Sequence, residues 1–456
     1  MPANRQDTSS PLIRFFRDLY LPNRFFIALA VCVVGFVVSY IVGRYFFTMQ
    51  LLALVFFFIF LIDLVSLYRV KQGVLAKRIC PERLSNGDKN PVAIEVTNRY
   101  PIPIGIEVVD EFPIQFQDRK TSFKKNILGR KKSVIFSYTL RPTKRGVYGF
   151  GRLNVYVSSG LGLVRRRYRF NQYANVAVYP SFIEMHRYEL IAASHRLTEY
   201  GIKKIRRIGH ASEFDHIKHY VMGDDPRTIN YKASARTGQL MVNTYQEERS
   251  QQVYCILDKG RTMKMPFRGM TLLDYAINSS LMVCSTALNK SDKAGLITFS
   301  SKIDEMLPAD RRQGQKNKIL ETLYGQQTNF RESDYERLYI TLKNKITQRS
   351  LIVLYTNFET VNGMRRQLKY LSRLAKDHLV LVAFFLNSEF NEVLNTEPED
   401  IEATFRKGMA EKLSYDKELI VKELNRYGIH ALLTTPEELT INSINKYLEF
   451  KSRGLI

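Results

Sequence analysis

Tryptophan is missing from all 456 residues of this chain, and cysteine occurs only four times, at Cys32, Cys80, Cys255 and Cys284. No two of these form a CxxC pair or take metal-ligand spacing, which excludes a disulfide scaffold or a zinc cluster and suits a reducing compartment. Without Trp, the Cys-Trp-Cys core of antibody domains is excluded from any β-sandwich the chain forms. A nucleophile elbow, a P-loop, an HExxH helix and a Cys-His arrangement are absent too, which argues against the familiar hydrolases. Acidic charge is scarce: Lys plus Arg exceed Asp plus Glu by 24. That surplus attracts polyanions, either anionic lipid head groups or nucleic acid. No nucleic-acid module accompanies it and the charge is spread along the chain, which disfavours nucleic acid as the partner.

What the sequence has in excess is apolar length. Residues Phe25 to Gly43 carry no charge, and residues Tyr45 to Tyr68 carry only Asp63. Each run is long enough to cross about 30 Å of hydrocarbon as a helix. A cleaved signal peptide fits the first run poorly, because it lacks a small-residue cleavage site and leads into a second span. Arg5, Arg14, Arg17 and Arg24 precede the pair and Arg69, Lys71, Lys77 and Arg78 follow it, with Arg44 alone between. Positive-inside logic puts both ends in the cytoplasm. Asp63 lies within a turn or two of the boundary, where snorkelling to the interface is expected and a functional intramembrane acid is the alternative.

The remaining chain divides by period. Residues 1–24 form a cytoplasmic N-terminal segment and 25–68 the two-helix transmembrane hairpin. Residues 69–180 show short alternating runs, such as "NPVAIEVTNRY" and "IPIGIEVVDEF", at roughly ten-residue spacing, which predicts an antiparallel, immunoglobulin-like β-sandwich. Residues 181–249 form a polar connector, and 250–456 alternate strands with helices, which predicts a parallel, doubly wound α/β sheet. The closing helix, "PEELTINSINKYLEFKSRG", reads as amphipathic and capped. In such sheets, sites form at the carboxyl ends of strands, where Asp258 and Asn357 fall. The connector's basic run Lys203, Lys204, Arg206 and Arg207 reads as a solvated face or as a membrane-proximal contact with anionic lipid.

Strand, acid and small polar residues in this order resemble a von Willebrand factor A domain, whose metal site uses an Asp-x-Ser-x-Ser loop, a Thr and a later Asp. The resemblance places the ligands at Asp258, Thr262, Thr328 and Asn357. Hard oxygen donors are what a divalent cation needs. Here Gly260 supplies no hydroxyl, Asn357 supplies no charge, and Lys259 and Arg261 flank the acid. The site is therefore degenerate: no cofactor is expected, with weak Mg²⁺ as the alternative.

The connector ends in "EFDHIKHYVMGDDPRTINYKASARTGQLMVNTYQEER", Glu213 to Arg249. It closely resembles the signature of the bacterial "domain of unknown function fifty-eight" family, in residues Gly223, Asp224, Asp225, Pro226, Arg227, Lys232, Ala233, Ser234, Ala235, Arg236, Thr237, Gly238, Glu247 and Glu248. Asn230 and Tyr231 stand where the family usually has Asp and Trp. The resemblance implies an inner-membrane protein without assigned enzymatic activity, a companion of MoxR-type AAA+ ATPases and of other von Willebrand factor A proteins. Residues Gly223 to Gly238 are expected to form an ordered clasp against the A-like domain or a partner-docking surface. In the clasp, Arg227 and Arg236 would pair with Asp224, Asp225, Glu247 or Glu248, and Ile229, Tyr231, Leu240 and Met241 would fold onto the sheet. The rival reading is a hydrolase using Asp224, Asp225, His216 and His219.

Overall fold

The computed structural model describes residues 11–43, 45–116, 122–129, 132–193, 214–222, 224, 226–245, 250–328, 330–386, 398 and 400–455. It divides into two compact units, Met1–Tyr179 and Pro180–Ile456.

The first unit begins with a short helix, α1 (Pro11–Asp18), and a two-residue strand, β1 (Leu19–Tyr20). Two long helices follow, α2 (Asn23–Val42) and α3 (Phe46–Tyr68). Gly43 ends α2 in the left-handed region at φ 71°, where a side chain would be strained. Only 6% and 11% of the most apolar stretches of α2 and α3 are buried inside the protein, so neither is a core helix. Both are long and apolar enough to span a bilayer.

Ten strands complete this unit: β2 (Val74–Ile79), β3 (Arg83–Ser85), β4 (Asn90–Asn98), β5 (Ile104–Asp110), β6 (Ser122–Leu128), β7 (Ser133–Leu140), β8 (Gly146–Phe150), β9 (Leu153–Ser158), β10 (Arg165–Phe170) and β11 (Ala174–Tyr179). They form sheets β1-β10-β9-β5-β6, β2-β4-β7 and β3-β11-β8. Strict alternation of buried and open residues along β4 and β5 supplies the inner faces. One core joins Val96, Ile106, Val108 and Val155, and a second joins Leu84, Val92, Phe150 and Val178. The sandwich is not wholly antiparallel, because β11 pairs with β3 in parallel. Between the sheets Arg78 and Asp110 form a buried ion pair, with Tyr138 donating to the same carboxylate at 2.5 Å. Such a pair is stable only when its remaining donors and acceptors are filled.

Asp63 does not snorkel. Its carboxylate is buried and accepts hydrogen bonds from the Ser159 hydroxyl and from the backbone N–H groups of Leu163 (2.9 Å) and Val164 (3.0 Å). Three donors on the β9–β10 turn fix the acid, so α3 is tied to the sandwich. Arg166 of β10 adds a second tie, donating to the carbonyls of Leu67 (2.6 Å) and Val70 (2.7 Å) at the end of α3.

The second unit opens with α4 (Phe182–Ala193) and a hairpin of β12 (Phe214–His219) and β13 (Met241–Tyr245), between which lies α5 (Tyr231–Thr237). Then come β14 (Gln252–Asp258), a small hairpin of β15 (Pro266–Phe267) and β16 (Met270–Thr271), α6 (Leu272–Asn289), β17 (Lys293–Phe299), β18 (Ile303–Asp310), α7 (Gln315–Tyr324), α8 (Tyr335–Lys345), β19 (Leu351–Tyr355), α9 (Val361–Asp377), β20 (Leu379–Phe385), α10 (Ile401–Arg426), β21 (His430–Thr434) and α11 (Leu439–Ser452). The sheet order is β18-β17-β14-β19-β20-β21. All neighbours are parallel except β18, which pairs antiparallel with β17 at the edge. This is the expected doubly wound A-like fold with one strand reversed. Fully buried strands such as β14 and β20 leave both faces to be covered by helices. Helices α6, α7 and α11 cover one face, and α8, α9 and α10 the other. The N-cap residue of the closing helix α11, Glu438, makes no side-chain cap hydrogen bond, contrary to the sequence reading.

Candidate functional site

Parallel β14 ends at Asp258, which the sheet delivers to its carboxyl edge and which is 2% exposed. Four groups donate to its carboxylate. Oδ1 accepts from the Gly260 backbone N–H at 2.8 Å and from the Ser333 hydroxyl. Oδ2 accepts from Thr356 Oγ1 at 2.7 Å and from the Tyr335 hydroxyl at 3.2 Å. Tyr335 and Thr356 are themselves joined at 2.7 Å. Burial pushes the Asp258 carboxyl above its usual range, and the hydroxyls and the Gly260 amide pull the other way. Burial also pushes the Tyr335 phenol well up, with the Asp258 charge adding to it.

Of the expected ligand set, Asp258 lies where the sequence placed it, but Thr262 and Thr328 are not among its hydrogen-bond partners. Ser333 and Thr356 take those places. The reason is visible at Gly260, where a Cβ atom would lie 2.2 Å from Ser333 Oγ and 3.0 Å from Asp258 Oδ1. The missing side chain is the room through which Ser333 reaches the acid. Ser333 directly precedes Asp334, the side-chain N-cap of α8, and the Asp334 amide is held by the Ser300 carbonyl at 2.8 Å. A hydroxyl residue next to a helix N-cap was the signal available in the sequence.

Asn357 does not face Asp258 in hydrogen bonding. Its Oδ1 accepts from Lys417 Nζ at 2.8 Å, and the same ammonium donates to the Phe358 carbonyl at 2.5 Å. Burial depresses Lys417 to about 8, with Glu359 opposing. Lys259 Nζ pairs with Asp304 at 2.8 Å and with Gln326 Oε1 at 3.0 Å. These donors do not fit a divalent ion. The carboxylate oxygens are taken by N–H and O–H groups, and the position of the second acid is a neutral amide already bound to an ammonium. Beside it opens a cavity of about 280 Å³ with apolar walls that include Met265, Phe267, Phe385 and Leu413, and with Lys417 and Asn357 at its polar side.

The signature segment folds on itself. Asn230 caps α5 by accepting from the Ala233 amide at 3.0 Å, and donates to Asn243 Oδ1 at 2.9 Å. An Asp there would keep the cap and lose the second bond. Ser234 Oγ accepts from the Met241 amide at 2.8 Å, and Gly238 ends α5 at φ 68°. Asp224 pairs with Lys218 at 2.8 Å and not, among the described side chains, with Arg236; that hydrogen bond, with the Val221 amide, holds its carboxyl below the usual range. Nor do all the apolar residues fold onto the sheet: Tyr231 and Leu240 are exposed, as are Val221 and Met222. Pro226 lies in a single 3-10 turn, and Lys232, Ala235, Arg236 and Thr237 lie on α5. Gly223, Asp225, Glu247, Glu248, Lys203, Lys204, Arg206 and Arg207 lie outside the described residues, as do the side chains of Arg227 and His216, while His219 is exposed.

Residues 216–391 match the family model described as "Protein of unknown function DUF58". This segment is similar to the DUF58 family. The match begins in β12 and ends beyond β20, so the hairpin and most of the A-like sheet lie inside the DUF58 segment. A curated relative, "Uncharacterized protein YeaD" of Bacillus subtilis strain 168, is 25% identical over 209 residues, 44% of this chain and 52% of that one. The chain thus spans about half the length of this curated relative. Among solved structures, the conserved hypothetical protein BatB from Bacteroides thetaiotaomicron is similar at TM-score 0.31 and 13% identity, over 45% of this chain and all of that one. A CARDB domain from Pyrococcus furiosus is similar at TM-score 0.17 and 17% identity, over 23% of this chain and 86% of that one. At scores this low neither adds to the fold read from the sheet order.

Proposed function

We infer that this chain is a membrane-anchored, non-catalytic scaffold whose A-like unit captures a protein partner in the cytoplasm at a bacterial inner membrane. The partner that the family resemblance implies is a MoxR-type AAA+ ATPase, with other A-domain proteins as further members of the assembly. One observation carries the reading: the signature hairpin is tied down by its own hydrogen bonds yet leaves apolar side chains in solvent. Met222 is 98% exposed and Tyr231 76% exposed, with Val221 and Leu240 also open. Exposed apolar and aromatic side chains on an ordered surface are what protein partners bury first. The acids support a binding role over chemistry. Asp258 has all four of its donors in place, and Asp224 is held by Lys218 and the Val221 amide at 3.0 Å, so neither is free to move a proton.

The test is capture of purified MoxR-type ATPase by the detergent-solubilised full chain. Met222→Ala with Tyr231→Ala should weaken capture at least about tenfold, as expected for two interface anchors, with an unchanged melting temperature. Undiminished capture by that variant would sink the hairpin as the docking surface. Failure of the wild-type chain to bind any such ATPase would sink the partner.

A further inference from the structure

Strand β10 reads RRRYRF, and its arginines are divided by the period of the strand. Arg166 turns to the end of α3, where its guanidinium stacks over the rings of Tyr68 (4.7 Å) and Tyr168 (4.6 Å). Arg165 is occupied with Glu107 at 3.0 Å. Arg167 and Arg169 meet the C-terminal end of α1. There both approach one carboxylate oxygen of Asp18, at 3.7 and 3.5 Å, and Arg17 reaches the same oxygen at 4.0 Å. Asp18 therefore supplies one negative charge against the two of Arg167 and Arg169.

The surplus charge is not simply solvated. The side chains of Arg167 and Arg169 are only 16% and 21% exposed. Their Nε–H groups are buried with no hydrogen-bond partner among the described residues. Arg167 spends one Nη2 donor on the Arg17 carbonyl at 2.9 Å and lies over the Tyr20 ring at 5.0 Å. Partly buried guanidinium groups with unspent donors and uncompensated charge are costly as they stand. A tetrahedral oxyanion matches their fork of donors.

The surroundings name the source of that anion. β1 pairs with β10, Leu19 opposite Arg166 and Tyr20 opposite Arg165, and three residues after Tyr20 the spanning helix α2 begins. Arg166 binds the carbonyls at the end of the other spanning helix, α3. The cluster thus lies at the level where both spanning helices leave the hydrocarbon, among Tyr20, Tyr68 and Tyr168, the aromatic company typical of that layer. On α1 itself Ile13 and Phe16 are exposed, while Phe15 touches Tyr68 with ring centroids 4.6 Å apart. A short amphipathic helix with open apolar side chains beside two spans suits the head-group boundary.

We propose that Arg167 and Arg169, with Arg17 beside them, form a binding site for the phosphate of an anionic phospholipid where the transmembrane hairpin joins the β-sandwich. The lipid's phosphate completes the charge that Asp18 leaves unbalanced, and its acyl chains lie along the spanning helices. Bound lipid would therefore stiffen the anchor against the sandwich.

The test uses the full-length chain in detergent, titrated with short-chain phosphatidylglycerol, with short-chain phosphatidylcholine and with inorganic phosphate, read by native mass spectrometry. Saturable binding of phosphatidylglycerol is expected, weakened at least about tenfold by Arg167→Ala with Arg169→Ala, the scale of losing two charge-assisted contacts. Lys124→Ala, an exposed charge on β6, should leave it unchanged. If the double variant fails to fold, Arg167→Gln and Arg169→Gln singly decide, each weakening binding while the melting transition is retained. Equal binding of phosphatidylcholine, or no loss in folded arginine variants, would overturn the site. Displacement by inorganic phosphate at the concentration of lipid would show a free-phosphate site and overturn the lipid assignment.

Discussion

A buried carboxylate surrounded by hydroxyls can be tested by changing one atom. In Asp258→Asn the amide oxygen still accepts from the Gly260 amide and Ser333, and the Thr356 and Tyr335 hydroxyls can turn to accept from the new NH₂. The loss should be under about 1 kcal/mol, whereas Asp258→Ala strands several donors at about 1–3 kcal/mol each. Melting temperatures of the two variants check this; equal losses would refute it. The pH dependence has a definite sign. Burial raises the folded-state pKa of this acid above 3.8, so its ionised form costs stability above the raised value, and the cost is relieved as pH falls from there towards 3.8. The wild type should therefore gain on Asp258→Asn as pH falls through that window, and a flat difference would show that the carboxyl titrates normally. Lys417 offers a second test. With its amine near 8, against 10.5 for a solvated lysine, about half of it is neutral at pH 8, compared with well under about 1% of a solvated lysine. A small acylating reagent at limiting dose should modify Lys417 first, as peptide mass spectrometry would reveal. Preferential labelling of surface lysines instead would count against the depressed value.

Elements show where the sequence was and was not legible. The two apolar helices, the alternating strands β4, β5 and β7, the apolar run inside β14 and the wholly apolar β19 and β20 announce themselves, because one physical property decides each. Strand β10 was not legible as a strand, since four of its six residues are arginine. It forms because Asp18, Glu107 and the carbonyls at the end of α3 receive those charges, and all of these are distant in sequence. The reversed edge strand β18, IDEMLPAD, carries acids and a proline, which an edge tolerates and a central strand does not. At the site, Asp258 and Asn357 were legible from their strand ends. Ser333 was not legible, because spacing alone cannot show that Gly260 leaves a hole for one hydroxyl. The junction at Asp63 belongs to this scale too. Its carboxylate holds the amides of Leu163 and Val164, so Asp63→Leu should free both. Hydrogen exchange should speed up at these two amides while the β4–β7 ladder keeps its protection. Unchanged exchange at Leu163 and Val164 would mean that the turn holds itself.

On the whole-molecule scale, two membrane-spanning helices would return the chain to the side from which it entered, which would leave α1, the sandwich and the A-like unit on one side. Which side follows from charge. Arg5, Arg14, Arg17 and Arg24 before the hairpin and Arg69, Lys71, Lys77 and Arg78 after it outnumber Arg44 between the spans. Folding hides part of that signal, since Arg78 ends in the buried pair with Asp110. Insertion acts on the unfolded chain, however, where every one of these charges is still free to resist crossing. Both ends should therefore lie in the cytoplasm. A fusion after Ile456 to a fluorescent protein that matures only in the cytoplasm should glow, and a fusion there to a phosphatase active only in the periplasm should be silent. Adding lysines beside Arg44 should weaken that orientation, because the rule counts charge near the span ends. A strongly active phosphatase on the unaltered chain would reverse the orientation. It would also put the exposed hairpin of Met222 and Tyr231 out of reach of any cytoplasmic ATPase, so the topology and the proposed partner stand or fall on one measurement.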